Sequence, residues 1–560
     1  MTRSILRRPL AVAIAALVAL VLTACAGLPL SGPVQSGPPV SSDVGAPDTT
    51  FRPNAPQPGA TPQQIVEGFI TAASGPQNDW QVAREYLAPE TTWNPRAGVI
   101  VDVLADRSYT STSADAITLQ VTPSATVNAT GSYTPDDGGS STLPFTLERQ
   151  PQGEWRISKA PDGIVLDVDM FRNVYHSYSV MYFDATWQYL VPDVRWFPIA
   201  NAASYISDAL VNGAPSPWLA RSVQTAFPGN VTLRPSVPVS GGVAQAELSE
   251  QALTLDKTTL NRMQTQLAAS LATAQVAQVD MLVDGSRLDA QRVATRNTTV
   301  DARALASTDA GFGFLVSGTL SPIPGLSDEV QSVAPTAIEV SADGTTAAVR
   351  LPDGRSARVT SDGQTAIVDD RPGLLAPTMD PFAVIWTLPA ASPSGLRAIT
   401  PTGERIDIAG AAWGGATRIE AMRVSRDGSR LAVIATVGML SVVMVAGVVR
   451  DPDGTPTALG DQIALGTLSA PGTDLGWLDS TTTAALVGTG SSTSFVTQPV
   501  GGAPTVVDAP DGAVSLAGGN STSGARVRTA DGVVFVQRSS TWVQTATGVK
   551  VLAVQQGAPQ

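Results

Sequence analysis

The sequence predicts a multidomain protein in which two α+β units precede an all-β propeller. Its 560 residues exceed what a single hydrophobic core usually serves, so about three or four domains are expected. Apolar residues recur at helical spacing in segments of the first half, whereas the chain from about Gly311 indicates a succession of short strands. This last segment repeats with a period near 42 residues, which is the length expected of one four-stranded propeller blade.

The composition excludes several kinds of chemistry. One histidine, His176, and one cysteine, Cys25, occur in the whole chain, so Cys/His metal sites, iron–sulfur clusters and triads drawing on several histidines are disfavoured. The formal charge is −13, from 35 basic and 48 acidic residues, and no basic block follows the first ten positions. Because nucleic acid requires a basic surface, it is not expected as a partner. No cofactor and no metal are predicted.

The amino terminus has the pattern of a bacterial lipoprotein signal. Three arginines within the first eight residues precede an unbroken apolar run over residues 10–22. This arrangement predicts a secretory signal, because the run is shorter than the span of about 20 residues that a membrane helix needs. The run closes on Leu22-Thr23-Ala24-Cys25, which resembles the lipobox of bacterial lipoproteins. Residues 1–24 are therefore the predicted signal peptide, cleaved between Ala24 and Cys25.

Cys25 is the predicted lipidation site, carrying an S-diacylglycerol thioether and an N-acyl group. More than one acyl chain makes membrane anchoring stable. The alternative is a plain secretory signal followed by a buried free cysteine. Loss of residues 1–24 removes three arginines and no acidic residue, which takes the formal charge from −13 to −16. Residues 25–60, rich in Pro, Gly and Ser, are predicted to form a lipidated tether without a core of its own.

Residues 61–165 predict a helix followed by a curved antiparallel sheet. Thr61-Pro62 has the form of a helix start, and apolar residues then recur at helical spacing as far as Gly75. This order resembles the nuclear-transport-factor-like (NTF2-like) fold. Enzymes of that superfamily use a buried His–Asp pair, and this segment has no histidine, so a binding or spacer role is expected. The predicted strands lie around Val99–Leu104, Ile117–Val121, Thr126–Tyr133, Leu143–Arg149 and Glu154–Ser158.

Residues 175–305 predict a second α+β unit. A short helix ends near Gly213, and a longer helix carries an apolar stripe from Leu253 to Leu271. Four segments, in this order and spacing, resemble the GerMN domain of bacterial envelope and sporulation proteins. They are Leu190–Arg195, Leu210–Pro215, Ala246–Ser249 and Val279–Gly285.

Residues 311–560 carry the repeat that predicts the propeller. Asp343, Asp427 and Asp511 are each followed by glycine and then by a short apolar strand, and they are 84 positions apart, twice 42. An Asp-Gly pair suits a tight turn between strands. About five or six blades are expected from the length, and an irregular β-sandwich is the alternative. The Ser-x-Asp-Gly signature resembles TolB-like propellers.

The whole chain resembles the actinobacterial LpqB lipoprotein family. The resemblance lies in the order of lipobox, tether and three domains, and above all in the run Gly153–Ile164. It implies a place at the outer face of the cytoplasmic membrane. There the protein would act as an accessory of the Mtr two-component system, contacting the extracellular part of its sensor kinase and influencing cell-wall homeostasis and division. The family has no catalytic residues to transfer, and only Cys25 maps to a position of known chemistry.

The function expected is therefore binding and regulation without catalysis, with a sensor kinase and the lipid membrane as partners. A wall-polymer or glycan-binding lipoprotein is the alternative, because five residues could form a polar-rimmed aromatic groove. In the competing interpretation the aromatics fill a core and the Asp–Arg pair fixes a loop. The five residues are Asp193, Arg195, Trp196, Trp187 and Trp218.

Weaker signals favour structural roles. His176 lacks a second histidine or a placed nucleophile, so a structural or a surface histidine is expected. Asp451–Gly454 begins like a calcium loop but lacks the later acidic ligands, so a turn is expected. An envelope hydrolase using carboxylate pairs in the propeller is a third possibility, which a pocket with clustered acidic residues would favour.

Overall fold

The computed structural model describes three consecutive domains. The predicted signal peptide, Ala24 and Cys25 lie outside the described residues. No helix in the described part of the chain has the length and apolarity to cross a membrane. The described stretches are residues 53–136, 138–316, 318–488 and 493–557.

The first domain combines short helices with two sheets. Within its described residues, the sheets have the strand orders β5-β4-β1-β8 and β2-β3-β6-β7. Pairing is antiparallel except between β1 and β8. The elements are α1 (Pro62–Ala72), α2 (Gln81–Arg84), β1 (Gly98–Asp102), β2 (Ser108–Ser113), β3 (Ala116–Val121), β4 (Pro123–Asn128), β5 (Tyr133–Pro135), β6 (Ser141–Arg149), β7 (Trp155–Lys159), β8 (Ile164–Asp167) and α3 (Val168–Val174).

Helix α1 begins where the sequence predicts. Thr61 accepts a hydrogen bond from the backbone N–H of Gln64, whose side chain in turn accepts from the Thr61 N–H, so two end donors of the helix are satisfied. The apolar face, including Ile65 and Phe69, is buried against the sheet. The predicted strand Thr126–Tyr133 is wrong, because a turn at residues 129–132 divides it into β4 and β5.

The second domain places two helices against small sheets. The described strands form the orders β10-β9-β11 and β12-β13-β14-β15, and β13 pairs parallel with β14. The predicted stripe from Leu253 begins too early, because Leu253 lies in a 3-10 turn and is 63% exposed. The elements are β9 (Tyr175–Asp184), β10 (Leu190–Pro198), α4 (Ala202–Val211), β11 (Val223–Gln224), β12 (Val239–Ser240), β13 (Val243–Glu247), α5 (Lys257–Ala272), β14 (Gln278–Val283) and β15 (Ser286–Arg287).

The third domain is a propeller with six four-stranded blades within the described residues. Strand β39 forms the inner strand of blade 1 beside β16, so the carboxyl-terminal strand closes the ring. Blades 2 to 6 follow in order along the chain. The elements of blades 1 to 3 are β16 (Ala304–Thr308), β17 (Gly311–Val316), β18 (Thr319–Ser321), α6 (Ser327–Ser332), β19 (Ala337–Val340), β20 (Thr346–Arg350), β21 (Ser356–Thr360), β22 (Thr365–Asp369), β23 (Thr378–Met379), β24 (Ile385–Thr387), β25 (Arg397–Ile399) and β26 (Arg405–Asp407).

Blades 4 to 6 continue this pattern, and β39 returns to blade 1. Blade 4 has the longest strands, with 11 residues in β29 and 13 in β30. The elements are β27 (Arg418–Val424), β28 (Arg430–Val437), β29 (Leu440–Arg450), β30 (Pro456–Leu468), β31 (Gly472–Trp477), β32 (Thr482–Val487), β33 (Ser494–Pro499), β34 (Thr505–Asp508), β35 (Ala513–Ala517), β36 (Arg526–Thr529), β37 (Val534–Arg538), β38 (Thr541–Ala546) and β39 (Val549–Gln555).

Two of the three predicted repeat aspartates are equivalent in the structure. Asp343 and Asp427 lie in the turns between the first and second strands of blades 2 and 4. Asp511 precedes β35 and lies at the connection into blade 6, so its place in the repeat is wrong. The physical reason is that an Asp-Gly pair suits any tight turn and does not distinguish between the turns of a blade.

The turn aspartates of blades 3 and 4 hold buried arginines. Asp427 pairs with Arg430, and both side chains are 1% exposed. Asp380 pairs with Arg450 (Oδ2–Nη2 2.5 Å), whose side chains are 0% and 2% exposed. Each arginine also donates to backbone carbonyls, Arg430 to Ser480 (Nη1–O 2.6 Å) and Arg450 to Gly454 (Nη1–O 2.8 Å). Each of these turns therefore reverses the chain and also holds a buried ion pair whose arginine hydrogen-bonds another segment.

Asp369, at the end of β22, links blades 2 and 3 and gives a pH-dependent prediction. Its carboxylate accepts hydrogen bonds from Arg371 (Oδ2–Nη2 2.6 Å) and from Thr387 (Oδ2–Oγ1 2.6 Å). Burial by itself raises the pKa of Asp369, but these hydrogen bonds hold it at about 2, below the ordinary 3.8. The resulting stabilisation is complete above about pH 4 and is lost as the pH falls through the folded-state pKa.

We therefore expect Asp369→Asn to be less stable than the parent chain near neutral pH. The difference in melting temperature should narrow as the pH falls below about 4. Thermal melting of the parent chain and of Asp369→Asn over a pH series measures this difference in melting temperature. A difference that stays constant down to the folded-state pKa contradicts the role given to the carboxylate charge.

Candidate functional site

Arg195 on β10 joins the first two domains. It forms a buried ion pair with Asp193 (Nη2–Oδ2 2.7 Å), and the two side chains are 4% and 2% exposed. Ser216 donates to the same carboxylate from its backbone N–H (2.8 Å) and its hydroxyl (2.7 Å). The Arg195 guanidinium also donates to the carbonyls of Thr130 (2.9 Å) in the first domain and Ala214 (2.8 Å) in the second. The predicted Asp–Arg pair is thus confirmed as a fixed junction.

Trp196 extends this junction to the propeller. Its indole N–H donates to the carbonyl of Gly501 in blade 5 (2.7 Å), and its backbone N–H donates to the carbonyl of Gly131 in the first domain (2.8 Å). Its ring packs on Phe171 with centroids 4.8 Å apart. Gly131 has φ +84°, and a Cβ there would lie 2.9 Å from the Trp196 carbonyl oxygen, so the close approach favours glycine. Arg195 and Trp196 together contact all three domains.

The structure does not bring the predicted groove residues together. Trp187 packs on Phe183 (ring centroids 5.1 Å apart) and under the guanidinium of Arg262 (4.0 Å from the ring centroid). Trp218 is buried, with its carbonyl close to Gly447 of blade 4. The prediction of a single groove is therefore wrong, because the three tryptophans pack against different parts of the protein. The predicted groove residues were Asp193, Arg195, Trp196, Trp187 and Trp218.

A cavity of about 570 Å³ lies where the first two domains meet. Arg195 and Trp196 form part of its lining, and the first domain contributes the turn between β4 and β5. Five aromatic side chains face this space, which is the usual composition of a site for a small organic ligand. The aromatic lining residues are Trp80, Tyr175, Trp196, Phe197 and Tyr205.

Arg96 is the charged group of the first domain in this cavity. Its guanidinium lies over the Trp80 ring, 5.5 Å from the centroid, and pairs with Asp79 (Nη2–Oδ1 2.9 Å). Burial lowers the pKa of Arg96, but hydrogen bonds to Tyr205 and Asp79 outweigh it and raise the pKa above its ordinary value. Burial also raises the pKa of the Tyr175 phenol. The cavity therefore offers two guanidinium groups, Arg96 and Arg195, and the side chain of Asp208 among aromatic faces.

The two faces of the propeller differ. We call the face that carries the first turn of each blade the covered face, because the second domain packs on it. There Phe382 meets the ring of Tyr189 (centroids 5.9 Å apart), and Arg426 donates to the carbonyl of Thr298 (Nη1–O 3.4 Å). We call the opposite face, where the inner strands begin, the open face. The β28–β29 hairpin ends there, with Met439 100% exposed and Leu440 56% exposed.

The structure also shows where the weaker candidates from the sequence lie, namely His176 and the calcium-like run Asp451–Gly454. His176 is exposed on β9 opposite Phe197. Asp451 accepts backbone hydrogen bonds from Asp453 (3.0 Å) and Thr455 (2.8 Å), so the calcium-like run forms the predicted turn between β29 and β30. No group of three or more His, Cys, Asp or Glu suited to a metal ion occurs within the described residues.

Sequence reasoning missed the residues that the first domain contributes to the cavity and the apolar hairpin tip. Trp80 and Arg96 lie far along the chain from Tyr205, and nothing local marks them as neighbours. The tip of the β28–β29 hairpin could have been predicted from the sequence, because Gly438 separates two apolar runs and is followed directly by Met439 and Leu440.

Known proteins match every domain. Three protein-family models match the chain. The family model "Lipoprotein LpqB, N-terminal domain" matches residues 55–172, the family model "Sporulation and spore germination" (Germane) matches residues 179–289, and the family model "Lipoprotein LpqB beta-propeller domain" matches residues 313–553. Among solved structures, TolB from Acinetobacter baumannii has a TM-score of 0.32 and 12% identity, covering 44% of this chain and 64% of that one.

Curated relatives extend over most of the chain. "Lipoprotein LpqB" of Rhodococcus opacus (strain B4) is 27% identical over 528 residues, 86% of this chain and 85% of the relative. "Lipoprotein LpqB" of Nocardia farcinica (strain IFM 10152) is 28% identical over 524 residues, 83% of each chain. The fold, the family models and the relatives together define the class of the protein, which is a multidomain lipoprotein with a carboxyl-terminal propeller. The chain belongs to the LpqB lipoprotein family.

Proposed function

We propose that the protein is a non-catalytic accessory of a two-component sensor kinase of the Mtr type, anchored by lipid at the extracytoplasmic face of the cell membrane. In this role it regulates cell-wall homeostasis and division. Its partner is the extracellular domain of the kinase. Membership of a lipoprotein family and the lipobox at Cys25 support the anchor.

The observation that carries the proposal is the exposed hairpin tip on the open face. A fully exposed Met439 beside Leu440 costs solvation free energy that a protein partner would recover. The rest of the body suits a scaffold, because Arg195 and Trp196 fix the second domain to both neighbours. The covered face is occupied by the chain itself, which leaves the open face for a partner.

Photocrosslinking in intact cells tests the kinase contact. A photoreactive residue at position 439 is expected to capture the sensor kinase, whereas one at Val543, also exposed (48%) but on the outer strand of blade 6, is not. Met439→Asp should weaken the effect on kinase phosphorylation, and Val543→Asp should not. Equal capture at both positions, or kinase output unchanged on deletion of the gene, contradicts the proposal.

The lipid anchor has its own test. Metabolic labelling with a fatty-acid analogue should mark the parent chain but not Cys25→Ser, which should leave the membrane fraction or stay unprocessed. Val543→Asp serves as the control that keeps the label. An unlabelled parent chain contradicts the assignment of Cys25.

A second candidate function is binding of a wall polymer or glycan, favoured by the aromatic cavity between the first two domains. Sedimentation of the mature protein with purified cell wall should then deplete it from solution. Arg96→Ala should weaken this binding more than Arg84→Ala, because both arginines pair with Asp79 but Arg84 is not part of the cavity lining. No co-sedimentation removes this candidate.

A further inference from the structure

The axial channel of the propeller is a second enclosed space, separate from the interdomain cavity. Its volume is about 500 Å³, and its lining includes the starts of inner strands β19, β27 and β31, so it opens on the open face. The covered end is occupied by the chain's own groups. Arg426 donates to the Trp477 carbonyl (Nη2–O 3.1 Å), and Gln556 hydrogen-bonds Glu339. The channel is therefore a dead-end pocket with one mouth.

The channel is cationic in a protein that is acidic overall. Five basic residues line it against two acidic ones, Glu420 and Asp474, although the whole chain carries −13. The cations come from four of the six blades, namely blades 1, 2, 4 and 6, so they lie on different sides of the axis. The basic lining residues are Arg350, Arg418, Arg423, Arg528 and Lys550.

Three of these cations have acidic partners. Arg418 pairs with Glu420 (Nε–Oε1 3.0 Å), Arg423 with Asp474 (Nη2–Oδ1 3.5 Å) and Lys550 with Asp309. Both acids of the lining are thereby engaged. A further anion entering the pocket would meet carboxylates that are already balanced by their own arginines.

Arg350 and Arg528 have no acidic partner among the described residues. Arg528 donates to the Val549 carbonyl (Nε–O 2.7 Å), and burial lowers its pKa below the ordinary value for arginine. The Nε of Arg350 is buried and has no hydrogen-bond partner in the described part of the chain. Two half-buried guanidinium groups on blades 2 and 6 thus face the channel with free donors, which an anion in the channel could accept from.

Arg423 marks the deep end of the same surface. It is 8% exposed and donates to the Met422 carbonyl (Nη1–O 2.9 Å), and its buried Nε has no hydrogen-bond partner within the residues that the structure describes. An arginine that is more than nine-tenths buried and still has a free donor indicates a place for an acceptor atom.

We propose that the axial channel binds a small, phosphate-bearing polyanion. Guanidinium groups fit phosphate oxygens with paired hydrogen bonds, and phosphate groups concentrate more charge in a small volume than a single carboxylate does. Arg350 and Arg528 bind its phosphates, and Lys550 stands at the mouth. Its residues do not include Met439 or Leu440 of the hairpin tip, so variants can test this site separately from the kinase contact.

Titration calorimetry of the full-length protein in detergent, with inorganic pyrophosphate as the probe, tests this site. One pyrophosphate should bind per chain, more tightly than citrate. Arg528→Gln should weaken binding about 10- to 100-fold. Arg350→Gln, on another blade, should do the same, which guards against a folding defect in either variant. Arg405→Gln removes the same charge from an exposed position on β26 and should bind as the parent does.

Three results would overturn the proposal. They are an absence of pyrophosphate binding at low ionic strength, equal weakening by Arg405→Gln, and citrate binding as tight as pyrophosphate binding.

Discussion

Replacing Asp427 by asparagine is expected to lower the free energy of unfolding of the propeller by about 3–5 kcal/mol. The substitution keeps the shape of the turn but leaves Arg430, whose side chain is 1% exposed, without a counter-charge. The Nε of Arg430 has no hydrogen-bond partner among the described residues of the parent chain, so few groups remain to compensate. Urea denaturation followed by tryptophan fluorescence is a direct measure, because the guanidinium lies 4.9 Å from the ring centroid of Trp477.

The control for this prediction is the same substitution in the same turn of another blade. Asp343 is exposed and accepts hydrogen bonds from Ser341 (2.6 Å) and Thr345 (3.1 Å), and it pairs with no arginine in the described stretches. Asp343→Asn should therefore cost about 0.5 kcal/mol or less. Asp427→Asn combined with Arg430→Met should recover part of the loss. Equal losses at positions 343 and 427 would show that turn geometry, not the ion pair, determines the effect.

Replacing Arg195 by methionine is expected to cost about 3–5 kcal/mol and to loosen the first domain from the second. Asp193 would stay buried with only Ser216 to stabilise its charge. The carbonyls of Thr130 and Ala214 would lose their donor. Hydrogen exchange should therefore accelerate in the turns at residues 129–132 and 214–217 beyond the change in global stability.

Arg172→Met is the matched control for this substitution. Arg172 pairs with Asp169 at 3.9 Å, but the side chains are 69% and 91% exposed, and such pairs contribute about 0–1 kcal/mol. Unchanged exchange at residues 129–132 in Arg195→Met would contradict the role of Arg195 as the link between the domains.

Local signals predicted the elements well. The α1 helix follows from Thr61, Pro62 and the apolar spacing, because a capping box and a buried stripe act within one helix. The propeller follows from a repeat length, since each blade reuses one supersecondary unit. Asp193 and Arg195 were predictable as a pair, because residues two apart on a strand share a face.

Longer-range features were not predictable in the same way. The aromatic cavity joins Trp80, Arg96 and Tyr205 from two domains, and the channel cations come from separate blades. Such sites depend on how domains and blades pack, which no periodicity in one segment records. The prediction of a groove lined by tryptophans was wrong for the same reason. Trp187 and Trp218 are close to Trp196 in sequence but pack against Arg262 and blade 4.

The position of β39 determines when the ring can close. Blade 1 takes three strands from the start of the propeller and its inner strand from Val549–Gln555, so the two parts meet only after the blades between them have been made. A chain made amino terminus first must hold β16, β17 and β18 unfinished until its final strand has been made. Pairing at such sequence separation is slow. Deleting β39 would therefore leave an open arc with unpaired strand edges, a species prone to aggregation and proteolysis.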